Sequence, residues 1–186
     1  MNKTGFIFDL DGVLTNTAEY HYLSWLRLAQ EEGIPFTRED NEALRGVPRQ
    51  ASLMLVLKGR KVSEAQMLEM LERKNSYYQE YLTEITPADI LPGVMDFLDE
   101  AKASDILLGV GSASKNARTV LDRLEITSLF DVLGDGHSVV NAKPAPDLFV
   151  WVAGGFGLNP ARCIVFEDAE AGIEAALKGS RGQSHV

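Results

Sequence analysis

The stretch "FIFDLDGVLTNT" constrains this chain more than any other. Phe6, Ile7 and Phe8 run directly into Asp9, and Asp11 and Gly12 follow. A short, unbroken apolar run reads as a fully buried strand, and fully buried strands belong to parallel sheets. In open parallel sheets, ligands bind outside the carboxyl ends of the strands. Two carboxylates at such an end therefore mark a place to look for chemistry.

The rest of the chain supplies the sheet. After Thr17 the apolar residues Tyr20, Leu23, Trp25, Leu26 and Leu28 recur at roughly helical spacing and stop at Gly33. Thr37 with Asp40 reads as a capping pair for a short second helix, and Pro48 suits the first turn of a third. Ser63 with Gln66 has the capping-box form and opens a long helix, "SEAQMLEMLERKNSYYQEYL". "TPADILPGV" breaks that helical block with two prolines. Beyond it, helix and strand alternate: "VMDFLDEAKA", then "ILLGVGS"; "KNARTVLDRL", then "FDVLG"; "PDLFVWVAGGF", then "CIVFED". Alternation of this kind predicts a parallel sheet with helices on both faces. The expected organisation is an α/β core of residues 1–15 and 86–186, Rossmann-like and three-layered, with an all-helical unit, residues 16–85, inserted after the first strand.

Charge narrows the partners. A formal net charge of -9 over 186 residues argues against general binding of nucleic acid, whose phosphates the chain would repel. A small phosphate remains acceptable wherever a few cations converge. The single cysteine, Cys163, excludes an internal disulfide and suits a reducing cytoplasm. The N-terminal apolar run is too short for a signal peptide, and nothing approaches membrane-spanning length.

Three predicted strands end in polar residues: Asp9 and Asp11 after the first, Ser112 after "ILLGVG", and Glu167 and Asp168 after "CIVF". Four carboxylates at one sheet edge repel one another, and Mg²⁺ relieves that repulsion with carboxylate, water and phosphate oxygens. Asp9 is placed to be a nucleophile through an aspartyl-phosphate, and Asp11 to be its general acid and base. Lys143, in "AKPAPD", can neutralise charge on a transferring phosphoryl group, and Ser112 with nearby N–H groups can hold its oxygens. Each feature alone has a plain structural reading: a common DxD, a loop lysine, serine helix caps, a solvated strand end. Their joint occurrence, in this order and at strand ends, is what carries the functional reading.

The motifs "FDLDGVL", "GSASKN", "AKPAPDLF" and "FEDAEAGI" resemble, in order, the four motifs of the haloacid dehalogenase superfamily. The helical insertion resembles its small helical cap. Within the superfamily, "DLDGVLTNTAEYHYLSW", "LRGVPRQASL", "RKNSYY", "TPADILPG" and "SASKN" are similar to the β-phosphoglucomutase family. The resemblance implies that Asp9 is the phosphorylated nucleophile and a metal ligand, and that Asp11 is the acid–base group with its carbonyl on the metal. It implies that Glu167 and Asp168 complete a Mg²⁺ site, and that Ser112, Ala113 and Lys143 surround the phosphoryl group. It further places Ser114, Lys115 and Asn116 on the sugar phosphate, and Thr17, His21, Arg45, Gly46, Arg49, Ser52 and Lys74 at hinge and cap positions that close over the substrate. Arg49 and Ser52 also make sense without the family, because the first turn of a helix offers free N–H groups to a phosphate. Arg45, Pro48, Gln50 and Ala51 depart from the family pattern, which bears on substrate discrimination rather than on core chemistry.

The function implied is interconversion of β-glucose 1-phosphate and glucose 6-phosphate through a bisphosphate, by a monomer acting on a small sugar phosphate. Two alternatives stand beside it: a sugar-phosphate phosphatase of the same superfamily, and an inactive sugar-phosphate binder. The final residues, "KGSRGQSHV", are too polar for a buried strand, so "CIVF" is expected at a sheet edge through which copies could associate.

Overall fold

The computed structural model describes residues 3–44 and 47–181, so the candidates Arg45 and Gly46 lie outside the described residues. In chain order the elements are β1 (Gly5–Phe8), α1 (Ala18–Glu31), α2 (Arg38–Glu42), α3 (Arg49–Val56) and α4 (Glu64–Leu82). They continue with α5 (Val94–Ala103), β2 (Leu107–Gly111), α6 (Ala117–Arg123), β3 (Val132–Gly134), α7 (Asp147–Gly155), β4 (Cys163–Phe166) and α8 (Glu170–Arg181). Contacts divide the chain into two compact units, residues 1–16 with 85–186, and residues 17–84.

The first unit is built on a parallel sheet in the order β3-β2-β1-β4. β1 pairs with β2 on one side and β4 on the other, Gly5 lying opposite both Leu107 and Cys163. That central position explains why its sequence is so apolar. Strand alternation sends Phe6 and Phe8 to one face and Ile7 to the other. On the first face Phe97 of α5 stacks on Phe6 with ring centroids 5.8 Å apart, and Phe166 meets both rings edge-on at 5.3 Å. On the second face Ile7 packs with Phe149, Val152 and Ala153 of α7 and with Ala175 of α8. Helices on both faces of a parallel sheet make the three-layer α/β fold. Among the described residues β4 is an edge strand, and its Ile164 is 52% exposed.

The second unit is wholly helical among the described residues. Thr37 and Ser63 both form complete capping boxes. The Asp40 N–H donates to Thr37 Oγ1 at 3.2 Å while Asp40 Oδ2 accepts the Thr37 N–H at 2.8 Å. The Gln66 N–H donates to Ser63 Oγ at 3.3 Å while Gln66 Oε1 accepts the Ser63 N–H at 2.9 Å. Pro48 stands one residue before α3, extended at φ -56°, so its missing N–H removes nothing from the helix. Trp25, Leu28 and Ala29 of α1, Leu53 and Val56 of α3, and Met70 and Tyr77 of α4 form this unit's own core. Each large apolar side chain buried there contributes about 1.5–3 kcal/mol.

Candidate active site

Matched strand registers bring the chemistry-bearing residues of the first unit to one edge of the sheet. Phe8 is paired with Phe166, so Asp9 and Glu167 are the next residues on neighbouring strands. The Asp9 N–H donates to the Phe166 carbonyl at 2.9 Å, carrying the ladder one step beyond β1. Ser112 follows β2, and its N–H donates to the Gly134 carbonyl of β3 at 3.1 Å.

Lys143 enters from the loop between β3 and α7. Its Nζ donates to Asp9 Oδ1 at 2.6 Å and to Glu167 Oε2 at 2.7 Å. The side chains are 5% exposed for Lys143, 11% for Asp9 and 4% for Glu167, so solvent does little to screen these pairs. The Phe149 ring lies beside the ammonium, its centroid 4.8 Å from Nζ. Asp168, more exposed, joins them: one carboxylate oxygen each from Asp9, Glu167 and Asp168 fall within 4.8 Å of one another. The side chain of Asp11 is not part of that group.

One ammonium among three carboxylates leaves the cluster short of positive charge. Burial pushes the Asp9 carboxyl up; Lys143 opposes it, the charges of Glu167 and Asp11 add to it, and the pKa rises to about 7. For Lys143, burial works to release its proton, but the attraction and hydrogen bonds of Asp9 and Glu167 outweigh burial and hold its pKa above the ordinary value. A group that offers only carboxylate oxygens, with one ammonium among three acids, fits a hard divalent cation.

The turn after β2 is held by its own hydroxyls. Ser112 Oγ accepts the Ser114 N–H at 3.1 Å, and Ser114 Oγ accepts the Asn116 N–H at 3.2 Å. The Ser114 carbonyl accepts the Gly136 N–H at 3.2 Å. This leaves Ser112 and Asn116 buried and Ala113 and Lys115 exposed.

The second unit carries its own polar group. Thr17 is buried, and its Oγ1 accepts from the Tyr78 hydroxyl at 3.1 Å. The His21 ring stacks on Tyr78 with centroids 4.1 Å apart. Lys74 is only 2% exposed, and its Nζ lies 3.0 Å from His21 Nδ1. An ammonium can only donate, so Nδ1 accepts and Nε2 carries the imidazole proton. The ammonium also sits 4.9 Å and 4.8 Å from the ring centroids of Trp25 and Tyr78. Burial, then the positive charges of Lys74 and Arg49, hold the His21 pKa well below its ordinary value, so the ring is neutral at pH 7. Arg49, the first residue of α3, is partly buried, and burial lowers its pKa. The Ser52 hydroxyl donates to the Val47 carbonyl at 3.2 Å, so its first use is within the chain. Tyr78 was not singled out by the sequence reading. Its place four residues after Lys74, on the same helix face, is the signal by which it could be found.

A parallel sheet whose strand ends gather a nucleophile-like aspartate, a buried lysine and an acidic pair defines a class, and comparison with known proteins gives the same one. The model of the haloacid dehalogenase-like hydrolases matches residues 6–180, and the chain belongs to this family. Within it, the chain is 43% identical to a β-phosphoglucomutase of Bacillus subtilis over 91% of this chain and 76% of that protein. It is 30% identical to a phosphorylated carbohydrates phosphatase of Thermotoga maritima, over 91% of this chain and 78% of the other. Among solved structures, a β-phosphoglucomutase from Clostridium difficile superposes with a TM-score of 0.91 at 43% identity, covering 96% of this chain and 82% of that one.

Proposed function

We propose that this chain is a Mg²⁺-dependent phosphotransferase that interconverts β-D-glucose 1-phosphate and glucose 6-phosphate through a sugar bisphosphate. The observation that carries the reading is the 43% identity to a β-phosphoglucomutase over 91% of the chain. The cluster of Asp9, Lys143, Glu167 and Asp168 supports the chemistry.

Asp9 is the nucleophile. Its carboxylate oxygen bonds to the phosphorus of the bisphosphate as the bond from phosphorus to the sugar oxygen breaks, and Asp11 gives that oxygen a proton. In the return step Asp11 takes the proton from a sugar hydroxyl, and that oxygen recovers the phosphoryl group from Asp9. Lys143 stays protonated and neutralises charge on the moving phosphoryl oxygens, helped by the Ser112 hydroxyl and the backbone N–H of Ala113. Asp9, Glu167 and Asp168, with the Asp11 carbonyl, would hold Mg²⁺, which supplies further positive charge to the same oxygens. In the first unit Ser114, Lys115 and Asn116 are proposed substrate-binding groups; in the second unit Thr17, His21, Arg49, Ser52 and Lys74 are proposed ones. The chain is read as acting alone, in the cytoplasm.

The 30% identity to a carbohydrate phosphatase supports a second reading, in which water replaces the sugar hydroxyl as acceptor. One experiment separates the two: β-glucose 1-phosphate is supplied with Mg²⁺ and a trace of bisphosphate, and glucose 6-phosphate and inorganic phosphate are both followed. The mutase reading expects glucose 6-phosphate with little free phosphate. Stoichiometric phosphate release selects the phosphatase, and no turnover on any phosphate ester selects a binding protein.

A further inference from the structure

Each acid of the adjacent pair Glu167 and Asp168 lies in a space that only a glycine leaves open. Gly172 is the third residue of α8, in ordinary helical conformation. A Cβ built on it would overlap Cδ and Oε2 of Glu167 and stand 2.5 Å from Cγ. Gly12 does the same for Asp168 from the loop after β1: a Cβ there would overlap Oδ2 and stand 2.6 Å from Cγ, and its φ of +85° also favours glycine. At Gly172 backbone conformation gives no reason for glycine, so the vacant volume is the reason left.

That volume decides where the Glu167 carboxylate sits. Oε2 accepts from Lys143 Nζ at 2.7 Å, and Oε1 accepts the Ala169 N–H at 3.1 Å. Both oxygens thus have a hydrogen-bond partner, one from the loop between β3 and α7 and one from the turn before α8. A methyl group at 172 would meet no backbone first; it would meet the free end of this side chain, which can rotate away. The chain would still fold, but with Glu167 withdrawn from Lys143 and from the other two carboxylates.

We propose that Gly172 is a positioning residue for Glu167: the missing side chain on α8 seats the carboxylate against Lys143 and completes the acidic cluster. The part concerning the metal rests on the function proposed above; the part concerning the seat does not. A glycine-to-alanine change inside a helix ordinarily stabilises, so positioning and simple helix propensity predict opposite results.

The test uses four full-length proteins: the parent, Gly172→Ala, Glu167→Ala, and the double variant. Without metal, Gly172→Ala should raise the melting temperature by about 2–4 °C in the Glu167→Ala background, where the space is free, and give no rise in the parent. Equal shifts in both backgrounds overturn the proposal. By titration calorimetry, Gly172→Ala should weaken Mg²⁺ binding at least about 10-fold, the scale of removing support from a metal ligand, and add nothing to the loss caused by Glu167→Ala. A smaller loss, or the same loss in both backgrounds, also overturns it. Should Gly172→Ala fail to fold, a folded double variant supports the proposal and an unfolded one overturns it. A parent that binds no Mg²⁺ refutes the metal reading, while the melting comparison still decides the role of Gly172.

Discussion

Phe8 and Phe166 stack face to face across β1 and β4, ring centroids 4.7 Å apart and planes 8° from parallel, each one residue ahead of an acid of the cluster. The pair sits at the last rung of the ladder, where Phe8 lies opposite Phe166. It therefore packs the last rung of the ladder, from which the two strands deliver Asp9 and Glu167. Phe166→Leu keeps apolar bulk and loses the ring contact, a change of about 0.5–1.5 kcal/mol beyond area alone. For a chain of this size that lowers the melting temperature by about 2–4 °C per kcal/mol. Mg²⁺ affinity should fall with it; an affinity unchanged in a destabilised variant would separate the stack from the site.

Metal binding should release protons. With the Asp9 pKa near 7, the metal-free protein is about half protonated there at neutral pH, and a bound cation requires the carboxylate. Mg²⁺ affinity should accordingly rise with pH through about 7 and fall below it. Calorimetry in two buffers of different ionisation heat should show about half a proton released at pH 7. Heats that do not depend on the buffer would contradict the raised pKa.

Asp11→Asn should leave the fold intact and slow phosphoryl transfer at least about 10²-fold, the usual scale of acid–base catalysis. Asp9→Asn should abolish phosphoenzyme formation altogether, because an amide is a poor nucleophile. Rapid-quench detection of the phosphoenzyme distinguishes the two, and near-normal turnover by the Asp11 variant would remove Asp11 from the mechanism.

His21 should make the helical unit acid-sensitive. Its folded pKa lies well below the ordinary 6.5, so the unfolded chain takes up a proton that the folded chain refuses. The stability is fully present above about pH 6.5 and is lost progressively as pH falls towards the folded value. Urea unfolding at pH 7.5 and 5.5 should show the drop, and His21→Gln should flatten it. A variant with the same pH slope as the parent assigns the acid sensitivity to other groups.

The parts of this molecule that were legible in the sequence are those written by local rules. Thr37 with Asp40 and Ser63 with Gln66 announce their helices because a capping box is a contact between residues three apart. The sheet could be inferred because a fully buried strand cannot be polar anywhere along its length, and the apolar runs of β1 and β2 obey that; β4 is equally apolar although it lies at the edge. Long-range geometry was not legible. That Lys143 bridges Asp9 and Glu167 depends on a loop folding back beneath the sheet edge, and no spacing in the sequence encodes it. The Lys74–His21–Tyr78 group likewise depends on how α1 lies on α4. Gly172 could not be read at all, because a glycine chosen for the space beside it looks like any other in a string of letters.

The interrupted sheet unit also sets the order in which the molecule can be made. β1 leaves the ribosome early, yet the strands on either side of it, β2 and β4, follow only after the whole helical unit has been synthesised. Residues 17–84 form a continuous segment with a core of their own and can fold while the rest is still being translated. Asp9 must wait, because the hydrogen bond that steadies it comes from Phe166 and its acidic neighbours come later still. A nascent chain paused before β4 would carry a finished helical unit and an apolar strand lacking its second neighbour. Such an intermediate lacks Glu167 and Asp168 and exposes an apolar strand prone to association. The acidic cluster is thus assembled last, after the helical unit and after β2 and β3.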